Sequence, residues 1–153
     1  MRLLALFLAL TASVAAADLQ IVRVFTGWRD AASFKRISEY FTGVENTSGQ
    51  TVVRTKPDAR AGYYFLVRTV NANAAYDAIV EIAVVLPESP RPHQFTFPVR
   101  VASGQALFNL GLTGTDWPNR EVDAVAWQVT VRNAAGAVLA TEKSYLWEKP
   151  PEA

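Results

Sequence analysis

The sequence predicts an all-β fold, an antiparallel sandwich of about seven to eight strands. Two observations support this prediction. Short runs rich in β-branched and aromatic residues recur along the chain, and segments containing Gly, Pro and Asn separate them. The stretch AWQVTVRNAAGAVLA, residues 126–140, places a turn signal between two apolar runs and is typical of a β-hairpin. Helical patterning is scarce and is confined to one segment near residues 30–42.

The first seventeen residues, MRLLALFLALTASVAAA, differ from the rest of the chain. A single charge at Arg2 precedes an apolar run at residues 3–10 and a small-residue end at 15–17, the three-part pattern of a secretory signal peptide. The apolar run is too short for a membrane anchor. We therefore expect export to the periplasm or the extracellular space, no transmembrane segment after cleavage, and a single β-sandwich domain over residues 18–153.

Charge and cysteine content exclude several classes of function. Without Arg2 the chain carries 14 basic and 14 acidic residues, well mixed in sequence, so nucleic acid is not an expected partner. There is no cysteine, which excludes disulfides, thiolate metal sites and thiol catalysis. The chain has one histidine, His93, and a histidine-based metal site needs at least two. We expect no cofactor.

The first predicted strand is LQIVRVFTGW, residues 19–28, because it is rich in β-branched and aromatic residues. Residues 30–42 follow, where Phe34, Ile37 and Phe41 have helical spacing and Gly43 could end a helix. The pattern favours a short helix, and a strand with alternate residues from 35 to 41 on one face remains the alternative. Residues 43–62 are polar and turn-rich, apart from a brief apolar piece at 51–55.

The remaining strands are predicted from stronger patterns. Residues 63–71 and 78–86 are nearly continuous apolar runs, as expected of strands that are packed on both faces or lie in the middle of a sheet. FTFPVRVA, residues 95–102, alternates, but Pro98 cannot donate to a ladder and restricts this strand to an edge or a bulge. Residues 105–112 alternate again, and TGTDWPNREVD is a loop before the final hairpin.

In that hairpin, Asn133 and Gly136 suit the first and last positions of a type I turn with a glycine bulge. The turn predicts an apolar face on which residue 131 pairs with 139, residue 129 with 141 and residue 127 with 143. Lys143 does not fit this face. Either its stem runs past Trp127 to reach solvent, or a bulge resets the register beyond Thr141.

The segment DAVAWQV resembles the corner that leads into the penultimate strand of immunoglobulin-type domains, and AWQVTVRNAAG is similar to the same strand of fibronectin type III modules. Trp127 stands where the family has tyrosine, and Val129 stands where it has cysteine, so neither the tyrosine-corner hydrogen bond nor the inter-sheet disulfide is implied here. The resemblance covers about 25 residues. It implies an immunoglobulin-like sandwich and no particular activity.

Catalytic signals are weak. His93 lies beside prolines in PRPHQF, which is typical of a solvated loop residue, and no G-x-S-x-G motif is present. Paired carboxylates among Asp116, Glu121 and Asp123 are the remaining possibility for a hydrolase. Acidic residues in a turn are more often solvated or capping groups.

Two sets of residues are candidates for ligand or partner binding. Trp28 and Trp117 lie at strand ends or in loops, where indole faces could stack on sugar rings or anchor a protein. The alternative is that they close the open ends of the sandwich. In RTKPDARAG, Arg54 and Arg60 with Lys56 could form an anion-binding loop, or a solvated turn paired with Asp58.

The function that these patterns favour is an exported, non-catalytic immunoglobulin-like module that binds or scaffolds another macromolecule, most simply a protein. A carbohydrate-binding module that uses Trp28 and Trp117 to hold a polysaccharide is the second hypothesis. A small carboxylate-dependent hydrolase is the third.

Overall fold

The structure is a computed structural model that describes residues 18–148. The predicted signal peptide, residues 1–17, lies outside the described residues, as do residues 149–153. The described residues form two four-stranded sheets whose facing sides share an apolar core. The predicted all-β sandwich is therefore confirmed.

The first sheet has the order β1-β3-β6-β2. Its strands are β1 (Leu19–Arg29), β2 (Thr51–Arg54), β3 (Gly62–Asn71) and β6 (Gly104–Thr113). β1 and β6 both pair antiparallel to β3, whereas the short edge strand β2 runs parallel to β6. This parallel pairing departs from the antiparallel prediction. The strands β1, β2 and β6 all run in one direction. The segment between β1 and β2 therefore crosses the sheet from one edge to the other before β2 begins.

The second sheet has the order β5-β4-β7-β8, and all of its pairings are antiparallel. Its strands are β4 (Tyr76–Leu86), β5 (Ser89–Val101), β7 (Ala126–Asn133) and β8 (Val138–Lys143). β5 is an edge strand, as the prediction from Pro98 requires. His93 lies on β5 opposite Val84 rather than in a loop, and it is exposed as expected.

Alternate residues of the central strands fill the space between the sheets. The fully buried side chains that face each other there are Phe65, Val67, Val80, Ile82, Phe97, Phe108, Leu110, Val129 and Val131. Burial of apolar surface stabilises a folded protein by about 25 cal/mol per Å². This layer is therefore the main source of stability in a chain without disulfides. Within the described residues, no helix is long and apolar enough to cross a bilayer.

The final hairpin has the predicted turn but a different register. Asn133 accepts hydrogen bonds from Gly136 through its backbone and from Ala135 and Ala137 through its side chain, and Gly136 has a φ of 84°. The ladder shifts next to Val131, so Val131 pairs with Ala140 instead of Leu139. Lys143 therefore lies opposite Gln128 and not Trp127. A bulge does resolve the misfit, but it lies beside the turn and not beyond Thr141.

Residues 30–50 cover the outer face of the first sheet. They contain a 3-10 turn (Ala31–Phe34) and a six-residue helix, α1 (Ile37–Thr42), so the helical interpretation is confirmed over the strand alternative. Gly43 ends α1 with a φ of 69°, as predicted. We call residues 30–50 the cover.

Candidate functional site

The cover rests on Tyr64, which projects from the outer face of β3 and yet is fully buried. The Phe34 ring of the cover packs against it with 4.7 Å between ring centroids. On the sheet side, Gly111 of β6 leaves room for the ring, since a Cβ there would lie 2.5 Å from Tyr64 Cε1. A small aromatic core therefore exists on the outer side of the first sheet. Burial raises the pKa of the Tyr64 hydroxyl.

Arg54 connects this core to the cover through a bidentate ion pair with Glu45. Its guanidinium nitrogens lie 2.7 and 2.9 Å from the two carboxylate oxygens of Glu45, and its Nε donates to the Tyr64 hydroxyl at 2.7 Å. The Arg54 side chain is only 7% exposed. The hydrogen bond from Arg54 lowers the pKa of Glu45. This geometry holds the loop after α1 against strand β2.

A second ion pair holds α1 itself. Arg60 binds Glu39, which is buried on the sheet-facing side of the helix, and the guanidinium also lies 3.7 Å from Glu45. The hydrogen bond from Arg60 is the main cause of a lowered pKa at Glu39. Arg54 and Arg60 are thus engaged by Glu45 and Glu39, not by Asp58. Neither of the two alternatives from the sequence, an anion-binding loop or a solvated turn paired with Asp58, included these internal carboxylate partners.

With its carboxylate turned inward, α1 presents its apolar side chains to solvent. The four residues Ile37, Tyr40, Phe41 and Val44 are between 69% and 86% exposed. We call these four residues the α1 patch. An amphipathic helix on a globular domain normally buries the apolar side and exposes the charged one, and here the arrangement is reversed. Contiguous exposed apolar side chains of this kind are typical of interaction surfaces.

A cleft of about 210 Å³ opens beside the α1 patch, between the cover and the start of β2. Three cations, Arg29, Lys35 and Arg36, line it together with the single carboxylate of Glu45. The neutral lining residues include Ser33, Asn46, Thr47 and Gln50. The Arg29 guanidinium stacks 4.4 Å from the centroid of the Phe34 ring and donates to Asn109 Oδ1 at 3.3 Å.

The two tryptophans proposed from the sequence occupy different environments. Trp117 is 3% exposed, stacks on Tyr63 with 4.2 Å between centroids, and donates from Nε1 to the carbonyl of Val122. It closes one end of the sandwich, so its indole is not available to stack on a sugar ring. Trp28 is half-buried at the end of β1 and donates to Asp30. The structure does not present Trp28 and Trp117 as an exposed aromatic pair.

The acidic residues considered for catalysis do not share a common contact. Asp116 lies 3.8 Å from Lys56, whereas Glu121 is exposed and lies 3.6 Å from Arg120. Asp123 is exposed in the same loop. Among the described residues, no cluster of three or more His, Cys, Asp or Glu side chains could hold a metal ion.

Comparisons with known proteins give no further constraint. A scan against family models, a search of curated proteins and a search of solved structures each found no match.

Proposed function

We propose that this chain is an exported, non-catalytic immunoglobulin-like module that binds another protein, and that the α1 patch is its contact surface. The observation that carries the proposal is the reversed polarity of α1. Glu39 is buried against Arg60, while Ile37, Tyr40 and Phe41 project into solvent.

The order of the strands supports the immunoglobulin-like assignment. If the short strand β2 is set aside, seven strands remain, and they lie first-second-fifth in one sheet and fourth-third-sixth-seventh in the other. Immunoglobulin-type sandwiches pair strands A, B and E in one sheet and C, F and G in the other, with C′ next to C when it is present. β2 and the cover are then an insertion between the first two strands.

A protein partner fits the chemistry of the α1 patch. Tyr and Phe are enriched at the centres of protein interfaces, and a flanking pair of cations, Lys35 and Arg36, favours an acidic rim on the partner. A second copy of this chain fits less well. In a two-fold interface the α1 patch would meet a copy of itself. Glu39 and Glu45 of that copy are already bound by Arg60 and Arg54 and so offer little to Lys35 and Arg36.

The patch is also held in one conformation before any partner arrives. α1 is fixed to the sheet by the Glu39–Arg60 and Glu45–Arg54 ion pairs. A surface that is ordered in the free protein loses less conformational entropy on binding than a flexible one. The cover therefore has a physical role in the proposed function, which is to present four apolar side chains rigidly.

Site-specific photo-crosslinking tests the proposal. A benzophenone amino acid replaces Tyr40 in the α1 patch, and in a matched control it replaces Tyr145, which is at least as exposed but follows β8 in the other sheet. In the native host we expect one discrete protein adduct from position 40, none of the same mass from position 145, and loss of the adduct when Phe41→Ser is added. The purified partner should then bind the unmodified chain, with about tenfold or more weaker affinity for Phe41→Ser.

Three results would overturn the assignment of a protein partner. They are the absence of a protein adduct from position 40, adducts formed only with a second copy of this chain, and adducts formed only with lipid. Sedimentation velocity of the free chain and co-sedimentation with anionic phospholipid vesicles identify the last two occupants directly.

A further inference from the structure

We infer that the cleft between the cover and β2 is a binding site for a single oxyanion group, carboxylate or phosphoryl. This inference goes beyond the proposed docking of a protein at the α1 patch and does not depend on it. It rests on the charge of the cleft, on its size and on the way one of its arginines is held.

The cleft has an excess of positive charge. Arg29, Lys35 and Arg36 line it, and Glu45 is the only carboxylate among its lining residues. Glu45 is already bound by Arg54 through both of its oxygens. Within residues 18–148, none of the three lining cations forms an ion pair with a carboxylate. Lys35 Nζ lies 4.2 Å from the centroid of the Tyr40 ring, and Lys35 helps to lower the pKa of Glu39. Arg29 and Arg36 are therefore the cations most available to an anion that enters the cleft.

Arg29 is oriented before any anion arrives. Its Cζ lies 4.4 Å from the centroid of the Phe34 ring, and its Nη1 donates to Asn109 Oδ1 at 3.3 Å. The ring contact and the hydrogen bond together limit the positions that the guanidinium can take, and the donors that Asn109 does not use are left for a ligand. Planar donor pairs of this type match the oxygens of a carboxylate or a phosphoryl group.

The neutral residues of the cleft are compatible with an anion and limit its size. The Thr47 hydroxyl can add a donor, and the Asn46 side chain is held by the Ser38 hydroxyl and the Ser48 amide. A volume of about 210 Å³ accommodates one oxyanion group with several waters. The sequence pointed to Arg54 and Arg60 for an anion, whereas the cations that line this cleft are Arg29, Lys35 and Arg36.

Backbone amide NMR of the exported chain tests this inference. Sodium phosphate and sodium acetate are titrated separately, and sodium chloride keeps the ionic strength constant. We expect saturable shifts for either anion, concentrated at residues 33–36 and 46–50. In the Arg29→Gln variant the affinity should fall by about tenfold. The matched control is Arg100→Gln, an exposed arginine on β5 of the other sheet, which should leave the affinity unchanged.

Saturable binding of phosphate alone would identify a phosphoryl ligand, binding of acetate alone would identify a carboxylate, and binding of both would identify a site that accepts either oxyanion group. Shifts that rise linearly and spread over all surface cations, or equal effects of Arg29→Gln and Arg100→Gln, would overturn the inference. A thermal melt of Arg29→Gln within about 2 °C of the parent excludes loss of the fold as the reason for weaker binding. Failure here would leave the crosslinking result at position 40 untouched, so the two proposals can fail separately.

Discussion

Tyr64 shows how one residue can have a role that its strand position does not predict. Alternation along β3 places it on the outer face of the first sheet, where a polar or exposed side chain is the normal expectation. It is instead the residue around which the cover assembles, because Phe34, Arg54 and Gly111 enclose it. Packing on both faces was one alternative predicted by the near-continuous apolar pattern of residues 63–71, and on the outer face it holds at Tyr64, whereas Arg68 and Val70 are exposed there.

Substitution of Gly111 tests this packing. In Gly111→Ala the new methyl group would overlap the Tyr64 ring, so we expect a loss of about 1–3 kcal/mol in the free energy of unfolding, measured by urea denaturation. Gly27→Ala on β1 is the matched control, since a Cβ there meets no atom within 4 Å, and its stability should stay within about 0.5 kcal/mol. Equal effects of the two substitutions would mean that Tyr64 does not lie against Gly111.

Removal of the Glu45 carboxylate tests the buried ion pair. In Glu45→Gln, Arg54 stays buried without its carboxylate, and we expect a loss of about 3 kcal/mol in the free energy of unfolding. The control is Asp77→Asn, which breaks the exposed Arg100–Asp77 pair and should change stability by less than about 1 kcal/mol. If Glu45→Gln is as mild as the control, the pair is not a determinant of the fold.

At single positions the sequence could predict residue types but not partners. It identified Arg54 and Arg60 as notable, but the nearby acidic residue in sequence was Asp58, and the true partners are Glu45 and Glu39. Both pairings depend on how the cover folds back over the sheet, and no local pattern reveals that. For Trp117 the sequence offered closure of an open end of the sandwich as the alternative to ligand binding, and the structure agrees, but the sequence could not identify Tyr63 as the ring on which it stacks.

Among the elements, α1 shows where helical spacing misleads. Ile37 and Phe41 lie in α1, which Gly43 ends as predicted, whereas Phe34 lies in the preceding 3-10 turn. Such spacing is normally interpreted as the buried side of a helix. Here Ile37 and Phe41 face solvent, because the ion pair between Glu39 and Arg60 turns the opposite side toward the sheet. The final hairpin was closer to its prediction, since turn residues fix a loop well even when a neighbouring bulge shifts the register.

The cover should loosen in acid before the sandwich unfolds. The pKa values of Glu39 and Glu45 are both lowered from the usual value of 4.5. Carboxyl groups with a depressed pKa in the folded state contribute stability above their unfolded pKa and lose it as the pH falls through the folded one. We therefore expect amide signals of residues 30–50 to lose dispersion below pH 4.5, while those of β4 and β7 persist.

This pH dependence can be followed by amide NMR, and the control is the Glu39→Gln and Glu45→Gln double variant. Its cover should already be loosened at neutral pH and should change little on acidification. Loss of the cover and the central strands at a single midpoint would contradict the assignment of these two carboxylates as the groups that hold the cover.

For the whole molecule, the sequence predicted the class of fold because its strongest signals are those of the core. The patterns at residues 63–71, 78–86 and 126–133 correspond to β3, β4 and β7, which are interior strands of the two sheets. The same patterns say little about β2, a four-residue edge strand that pairs parallel to β6. Its place depends on the path of the cover across the sheet, so it could be found only in three dimensions.

The central claim is that α1 is turned with its apolar side to solvent, and the absence of cysteine makes this directly measurable. Phe41→Cys and Val129→Cys are each exposed to a thiol reagent in the native state, and the labelling rates are compared with those in denaturant. We predict that Cys at position 41 reacts nearly as fast as in the unfolded chain, whereas Cys at position 129 is protected by about a hundredfold or more. A folded Phe41→Cys variant whose thiol is as protected as that at position 129 would contradict the account.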